Sequence, residues 1–206
     1  MKTTRQHILD NALKQFNTKG FVNVRLQHIA DAAFVSVGHL AYHFKNKDAI
    51  VAALYQEITE QQELLLNEFR VVPLFEDMQR YLQATWQLQS KYLFFYLDRL
   101  EVFRAYPQIR EKHATHTQWQ LLQLKLMLEF NISRGSLQAP AMGNTAELAE
   151  YLLAVTDNWR YIKHTQGIVN ETEQGFTRAV WAQVAPYFTD MGNREFGQIP
   201  VQNTPA

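Results

Sequence analysis

Cysteine is absent from this chain of 206 residues, which excludes both a disulfide framework and a thiolate metal site. A membrane span is absent too, because no stretch approaches the roughly 18 uncharged apolar residues that one requires. The first residues, Met-Lys-Thr-Thr-Arg-Gln-His, run straight into an amphipathic pattern without the apolar core of a signal peptide. A cytoplasmic protein with no membrane partner is therefore expected. There are no internal repeats and no convincing strand pattern. No nucleophile–base pair, phosphate loop or closed set of metal ligands stands out, so no catalytic residue, metal or cofactor is assigned. Net charge is also lacking, with 20 Lys and Arg against 20 Asp and Glu. What remains is a globular composition, 47% hydrophobic and 19% charged, in a chain long enough to bury a real core.

The zero net charge hides an asymmetry. Residues 1–50 hold 7 Lys and Arg against 3 Asp and Glu, a balance of +4, so the remainder of a neutral chain carries −4. Four of the seven histidines, His7, His28, His39 and His43, also lie there. A basic end on an acidic body suits one anionic partner at that end. Almost every segment has helical period. Ile8, Leu9, Ala12, Leu13 and Phe16 form one stripe ending at Gly20, and Leu26, Ile29, Ala30 and Ala33 form a second. Leu40 and Phe44 anchor a third, and a long helix starts after Asn46, a good N-cap. Pro73, Pro107 and Pro140 punctuate the body. The stretch 91–105 is apolar on all faces and predicts one central, buried helix. Ser133–Asn144 reads as a loop, followed by helices at about 145–166 and 172–189 on either side of Gly167. Residues 191–206 read as a flexible tail.

Residues 34–47, Phe-Val-Ser-Val-Gly-His-Leu-Ala-Tyr-His-Phe-Lys-Asn-Lys, are the most informative. With Ser36 as N-cap and about 100° per residue, Leu40 and Phe44 point to one side. Gly38, His39 and Tyr42 point to the other, flanked by His43. An inner packing face and an outer face of imidazoles, a phenol and a bare glycine is the division of labour in a helix that reads a DNA groove. Lys47, in the first turn of the next helix, opposes the helix dipole, a conflict that a DNA phosphate would resolve. Tyr42, Asn23 and Arg25 can donate to phosphates as well.

At this point residues 3–55 resemble the DNA-binding domain of the TetR/AcrR regulators. The carriers are Arg5, Ile8-Leu9-Asp10, Ala12-Leu13, Phe16 and Lys19-Gly20-Phe21. They continue through Ile29-Ala30-Asp31-Ala32-Ala33, Val35-Ser36, Gly38, Leu40, Tyr42-His43-Phe44 and Lys47-Asp48-Ala49-Ile50. The resemblance implies an all-α protein. Its N-terminal three-helix helix-turn-helix domain would occupy 1–47. A larger helical ligand-binding and dimerisation domain, of about nine helices, would occupy 48–190. It implies a homodimer on a double-stranded, palindromic DNA operator. Phosphate contacts fall on Lys47 and Tyr42, and base-proximal roles on Val37, Gly38, His39 and His43. The chain departs from the family pattern at Phe34, where the turn usually has glycine, and at Ala41, usually tyrosine. It also departs at His39, often threonine, and at Val24-Arg25, where a Thr or Ser cap is usual.

In the body, the aromatic residues are mainly core, with room for a small apolar effector between helices. The candidate ligand residues are Phe95, Tyr96, Arg99, Phe103, Trp119, Asn158 and Trp159. The apolar faces Leu148/Leu152/Val155/Trp159 and Phe176/Val180/Val184/Tyr187 are the expected dimer interface. The expected function is a DNA-binding transcriptional regulator, a repressor, modulated by a small, largely apolar ligand. The alternatives are a helical enzyme or metal-binding protein, with His113 and His116 as the pair to watch, or an architectural DNA-binding protein without an inducer.

Overall fold

The computed structural model describes residues 3–69 and 72–199, with only the backbone of Phe69. Eleven α-helices account for most of these residues, and among them the only strand-like pairing is an isolated bridge between Leu137 and Phe188. The helices are α1 (Thr4–Lys19), α2 (Leu26–Ala32), α3 (Val37–His43), α4 (Lys47–Phe69), α5 (Phe75–Lys91) and α6 (Leu93–Leu97). They continue as α7 (Arg99–Ala105), α8 (Pro107–Ser133), α9 (Thr145–Thr165), α10 (Glu173–Val184) and α11 (Asp190–Phe196), with a 3-10 turn at Ala185–Tyr187. Beyond the first three there are thus eight α-helices and one 3-10 turn, and the all-α expectation holds. Two compact units divide the chain. One takes the chain up to Gln61 together with Ser90–Ala114; the other takes Gln62–Gln89 and the chain from Thr115 onward.

In the first unit, the stripe Ile8, Leu9, Ala12, Leu13 and Phe16 is buried, as are Ile29, Ala30 and Leu40 from the next two helices and Phe44 just past them. Local chemistry sets their ends. Thr3 accepts the Gln6 amide at 3.2 Å, Ser36 accepts that of His39 at 3.1 Å, and Asn46 accepts that of Ala49 at 3.0 Å. Each satisfies one of the amides that a helix start leaves without a partner. Asn23 does not cap α2. Its amide donates to the Lys19 carbonyl at 2.8 Å, closing the end of α1, while Arg25 occupies the cap position and its N–H reaches His28 Nδ1 at 3.2 Å.

The stretch 91–105 is not one helix. α6 and α7 meet at Asp98, whose carboxylate accepts the Phe21 N–H at 2.7 Å. Asn17 holds the same segment at its other end, donating to the Lys91 carbonyl and accepting the Phe94 N–H, each at 2.9 Å. Two anchors to the α1 region, the Asn17 side chain and the Phe21 backbone N–H, therefore fix the break. The rings of Phe16 and Phe94 (5.2 Å) and of Phe21 and Tyr106 (5.8 Å) fill the space between the anchors. Tyr92 is fully buried, and its hydroxyl donates to Glu57 at 2.9 Å.

The second unit is built on Phe75, Trp86, Leu128, Leu152, Phe176 and Trp181, with the rest of the buried faces of α5, α8, α9 and α10 around them. Arg160 is buried here. Its guanidinium lies 3.3 Å over the Trp86 ring and 2.6 Å from Glu171, so the charge is both paired and covered. The expected tail is a correction. Residues 190–196 form α11, capped by Thr189 on the Gly192 amide at 3.1 Å. Phe196 packs on Trp181 and Phe188 at 5.0 and 5.1 Å. Glu195 pairs with Arg134, takes the Ser136 hydroxyl at 3.2 Å and accepts the Phe75 N–H at 2.9 Å, where α5 begins. Gly192 is required where it stands, since a Cβ would fall 2.2 Å from the Ser136 carbonyl oxygen. Residues 200–206 of the expected tail lie outside the described residues.

Candidate nucleic-acid interface

α3 is seven residues long and is held by one spoke, Leu40, which is fully buried, followed by the buried Phe44 just past its end. Everything else on the helix is exposed or half-buried. Helical phase thus gives the inner face expected for it, and the outer face is polar and aromatic. Tyr42 is 84% exposed. The His43 ring sits between those of Tyr42 (5.2 Å) and His39 (5.3 Å), so the three rings form one surface. Gly38 has open space around it: an added Cβ would meet only Ser36 Oγ, at 3.9 Å. No neighbour in the chain requires glycine there, and its bareness leaves room for something outside the chain to come close. Val37, at the first position of α3, is partly exposed, and Asn23, Arg25 and Ser36 are exposed as well. Asn23 and Ser36 already spend one hydrogen-bonding group each on the backbone.

Lys47 is half-buried and engages its own chain. Its ammonium donates to the Phe21 carbonyl at 2.6 Å and lies 4.0 Å from the Phe21 ring centroid and 5.5 Å from that of Phe16. Burial lowers its pKa, with Asp48 acting in the opposite direction. The conflict with the helix dipole is met at least in part by a carbonyl oxygen and two ring faces of the same chain. Lys45, two residues earlier and exposed, is the cation that sequence reasoning passed over. The available signal was its place just past the end of α3, on the polar side of Phe44. Arg5 lies 4.7 Å from the Phe44 ring centroid.

The remaining candidates separate. Phe95, Tyr96, Arg99 and Phe103 belong to the first unit, where Phe95 contacts Tyr55 (5.5 Å), Phe103 (6.1 Å) and His113 (5.5 Å). Arg99 covers Phe95 and Tyr96 at 5.6 and 5.4 Å. Trp119, Asn158 and Trp159 belong to the second unit; Asn158 is exposed and bonds the Ala154 carbonyl at 2.9 Å. A cavity of about 30 Å³ in the second unit is lined by Tyr81, Leu82, Met127, Leu152, Thr156 and Trp181, among others, and by none of the seven. That volume holds about one water molecule. His113 and His116 also separate. His113 approaches the Tyr55 hydroxyl at 3.3 Å, whereas His116 meets Gln62 at 2.9 Å and stacks on Trp119 at 5.6 Å. Among the described residues, no three His, Cys, Asp or Glu side chains are placed to share a metal ion.

Most of the expected dimer face packs within its own chain. Leu148, Leu152, Phe176, Val180 and Val184 are each 5% exposed or less, because they form the core of their own chain. Val155, Trp159 and Tyr187 are half-buried against that core. The apolar groups that α9 presents outward are Tyr151, Tyr161 and Ile162.

A short polar-faced helix, held by a buried leucine behind a preceding helix and a tight turn, defines a helix-turn-helix DNA-binding protein. Comparison with known proteins agrees. Residues 8–54 match the family described as bacterial regulatory proteins, tetR family, and residues 54–196 match the TetR family of bacterial transcriptional repressors. The chain belongs to the TetR family. A regulator of known sequence, AcrR of Shigella flexneri, is 41% identical over 68 residues, 33% of this chain and 30% of that protein. The shared stretch thus spans less than a third of that relative's length. A TetR-family regulator from Marinobacter aquaeolei VT8 has the same fold with a TM-score of 0.86, at 28% identity, over 96% of this chain and 97% of that one. SmeT of Stenotrophomonas maltophilia, in complex with triclosan, superposes with a TM-score of 0.65 at 18% identity, over 92% and 93% of the two chains. Among the described residues, no helix is long and apolar enough to cross a membrane.

Proposed function

We propose that this protein is a transcriptional repressor that binds a palindromic double-stranded operator as a homodimer in the cytoplasm and is modulated by a small, largely apolar effector. The carrying observation is α3: a helix with one buried spoke and an outer face of Gly38, His39, Tyr42 and His43 whose rings, among the described residues, pack only on one another. His39 and Val37, in its first turn, take the base edges, since the N-terminal residues of a reading helix lie deepest in the groove. Tyr42, His43, Asn23, Arg25 and Lys45 take phosphates and fix register. Ser36 shapes the start of the helix. Lys47 supports the scaffold rather than the DNA.

Dimerisation is supported by the outward stripe of α9, Tyr151, Tyr161 and Ile162, with the half-buried Val155 beside it. Large apolar groups at one helix face of a regulator suit a second copy. The effector reading rests on the cavity under Leu152 and Trp181, whose lining is apolar apart from Tyr81 and Thr156. At about 30 Å³ it must open to admit an effector. The ligand therefore selects an expanded state of the second unit, and it shifts DNA affinity only by its preference for that state. SmeT, a repressor of a multidrug efflux pump, takes triclosan, which supports an apolar ligand class.

In vitro selection from a random duplex pool tests the proposal. The expected result is one inverted repeat bound by two chains. Selection of a single unrepeated half-site would refute the dimeric operator, and enrichment of no sequence would refute base reading by α3.

A further inference from the structure

The turn between α2 and α3 carries a side chain for which the fold has no use. Phe34 sits at φ +54°, in the left-handed region that disfavours any residue with a Cβ. Its N–H reaches the Asp31 carbonyl at 3.1 Å, and the Val35 N–H reaches that of Ala30 at 3.0 Å. This pair of bonds is the glycine-type helix stop. Glycine would make the same turn without strain, so the turn does not ask for a ring. Neither does the core, since Phe34 is 93% exposed.

Two residues further on, Ser36 caps the reading helix and Val37 begins it. The ring therefore stands at the end of α3 that enters the groove in helix-turn-helix proteins. A strained backbone that presents a bare aromatic ring beside base-reading positions is accounted for by a partner that covers the ring. We propose that Phe34 is a specificity-determining DNA contact, its phenyl ring packing on the 5-methyl group of a thymine at the edge of the recognised sequence. The inference rests on the DNA-binding function. Thymine's methyl is the apolar group among the major-groove edges, and a phenyl ring covers it without stranding a hydrogen-bonding group. The ring carries no charge and releases no counterions, so its contribution is independent of salt.

The experiment takes the duplex selected by the full-length protein and replaces each thymine in turn with deoxyuridine, which lacks the methyl. Affinities are measured for the unaltered protein, Phe34→Ala and Phe34→Gly. Both variants should bind the selected duplex roughly five- to tenfold more weakly, with an unchanged salt slope. One deoxyuridine position should weaken the unaltered protein by a similar factor and leave both variants indifferent. Phe34→Ala should keep its melting midpoint, and Phe34→Gly should raise it. The proposal is overturned if the variants bind as tightly as the unaltered protein, if every deoxyuridine costs all three proteins alike, or if Phe34→Ala melts early, which would make the ring structural. Failure of the unaltered protein to select any duplex would instead overturn DNA binding itself, before the variants enter.

Discussion

Replacing Lys47 with methionine keeps the aliphatic stem and deletes the ammonium. The deletion removes a charged donor 2.6 Å from the Phe21 carbonyl and a cation 4.0 Å from the Phe21 ring centroid. A hydrogen bond from a charged group contributes about 1.5–3 kcal/mol, and a partly desolvated cation over a ring about 1 kcal/mol. Against these stands the cost of half-burying the charge, which methionine relieves and which already shows in the lowered pKa. The Phe21 carbonyl keeps only a long bond, 3.5 Å, from the Val24 N–H. The net loss is about 2 kcal/mol, which for a chain of this size lowers the melting midpoint by about 4–8 °C. Urea and thermal melts read the stability. Fluorescence anisotropy on a labelled operator, over a range of salt and well below both midpoints, reads DNA binding. The expected pair of results is a destabilised protein with an unchanged slope of log K against log salt. A variant of unaltered stability whose slope falls by about 0.9, the signature of one lost phosphate contact, would refute the inward-facing role. Lys45→Ala is the matching control and should show that fall in slope with no loss of stability.

Two other outcomes follow from the structure. Ile162→Glu places a charge on the outward stripe of α9 without touching the core, so sedimentation should find a folded monomer for the variant and a dimer for the unaltered chain; a dimeric variant would move the interface elsewhere. His116 has a pKa pushed below its ordinary value by burial, with Glu63 and Asp157 partly opposing. Between that lowered value and about 6.5 the unfolded chain binds the extra proton, so stability falls as pH drops through this window. His116→Gln should flatten the dependence between pH 7 and 5, and an unchanged slope would assign the effect to other groups.

The first three helices were legible because their information is local. Leu40 and Phe44 share a helix face at any phase near 100° per residue, and Ser36 and Asn46 cap from their own side chains. The break at Asp98 was not legible, because the apolar run around it is continuous and its cause is the Phe21 amide, 77 positions away. The same holds for α11. A Gly/Asn/Gln-rich segment looks like a tail until Glu195 meets Arg134 and the Phe75 amide. The partner of the α9 and α10 apolar stripes is illegible for a different reason. Helical phase shows that Leu148, Leu152 and Val180 share apolar stripes, but an apolar stripe carries no mark of whether it packs on its own chain or on a copy. At Lys47 the dipole conflict is visible in the sequence, whereas the carbonyl its ammonium meets, that of Phe21 in the loop after α1, is not.

The clasp made by Glu195 also orders events in time. The start of α5 leaves the ribosome about 120 residues before the carboxylate that closes it, a wait of roughly 6–24 s at ordinary rates of synthesis. For most of that interval Phe75 lacks Trp181 and Phe188, its aromatic neighbours in the finished unit. Recognition of DNA is encoded in residues 8–54, but the second unit is sealed only when α11 is made. A nascent chain stalled short of residue 190 therefore carries a finished reading helix on an unfinished body, and that body is the species most exposed to chaperones and proteases.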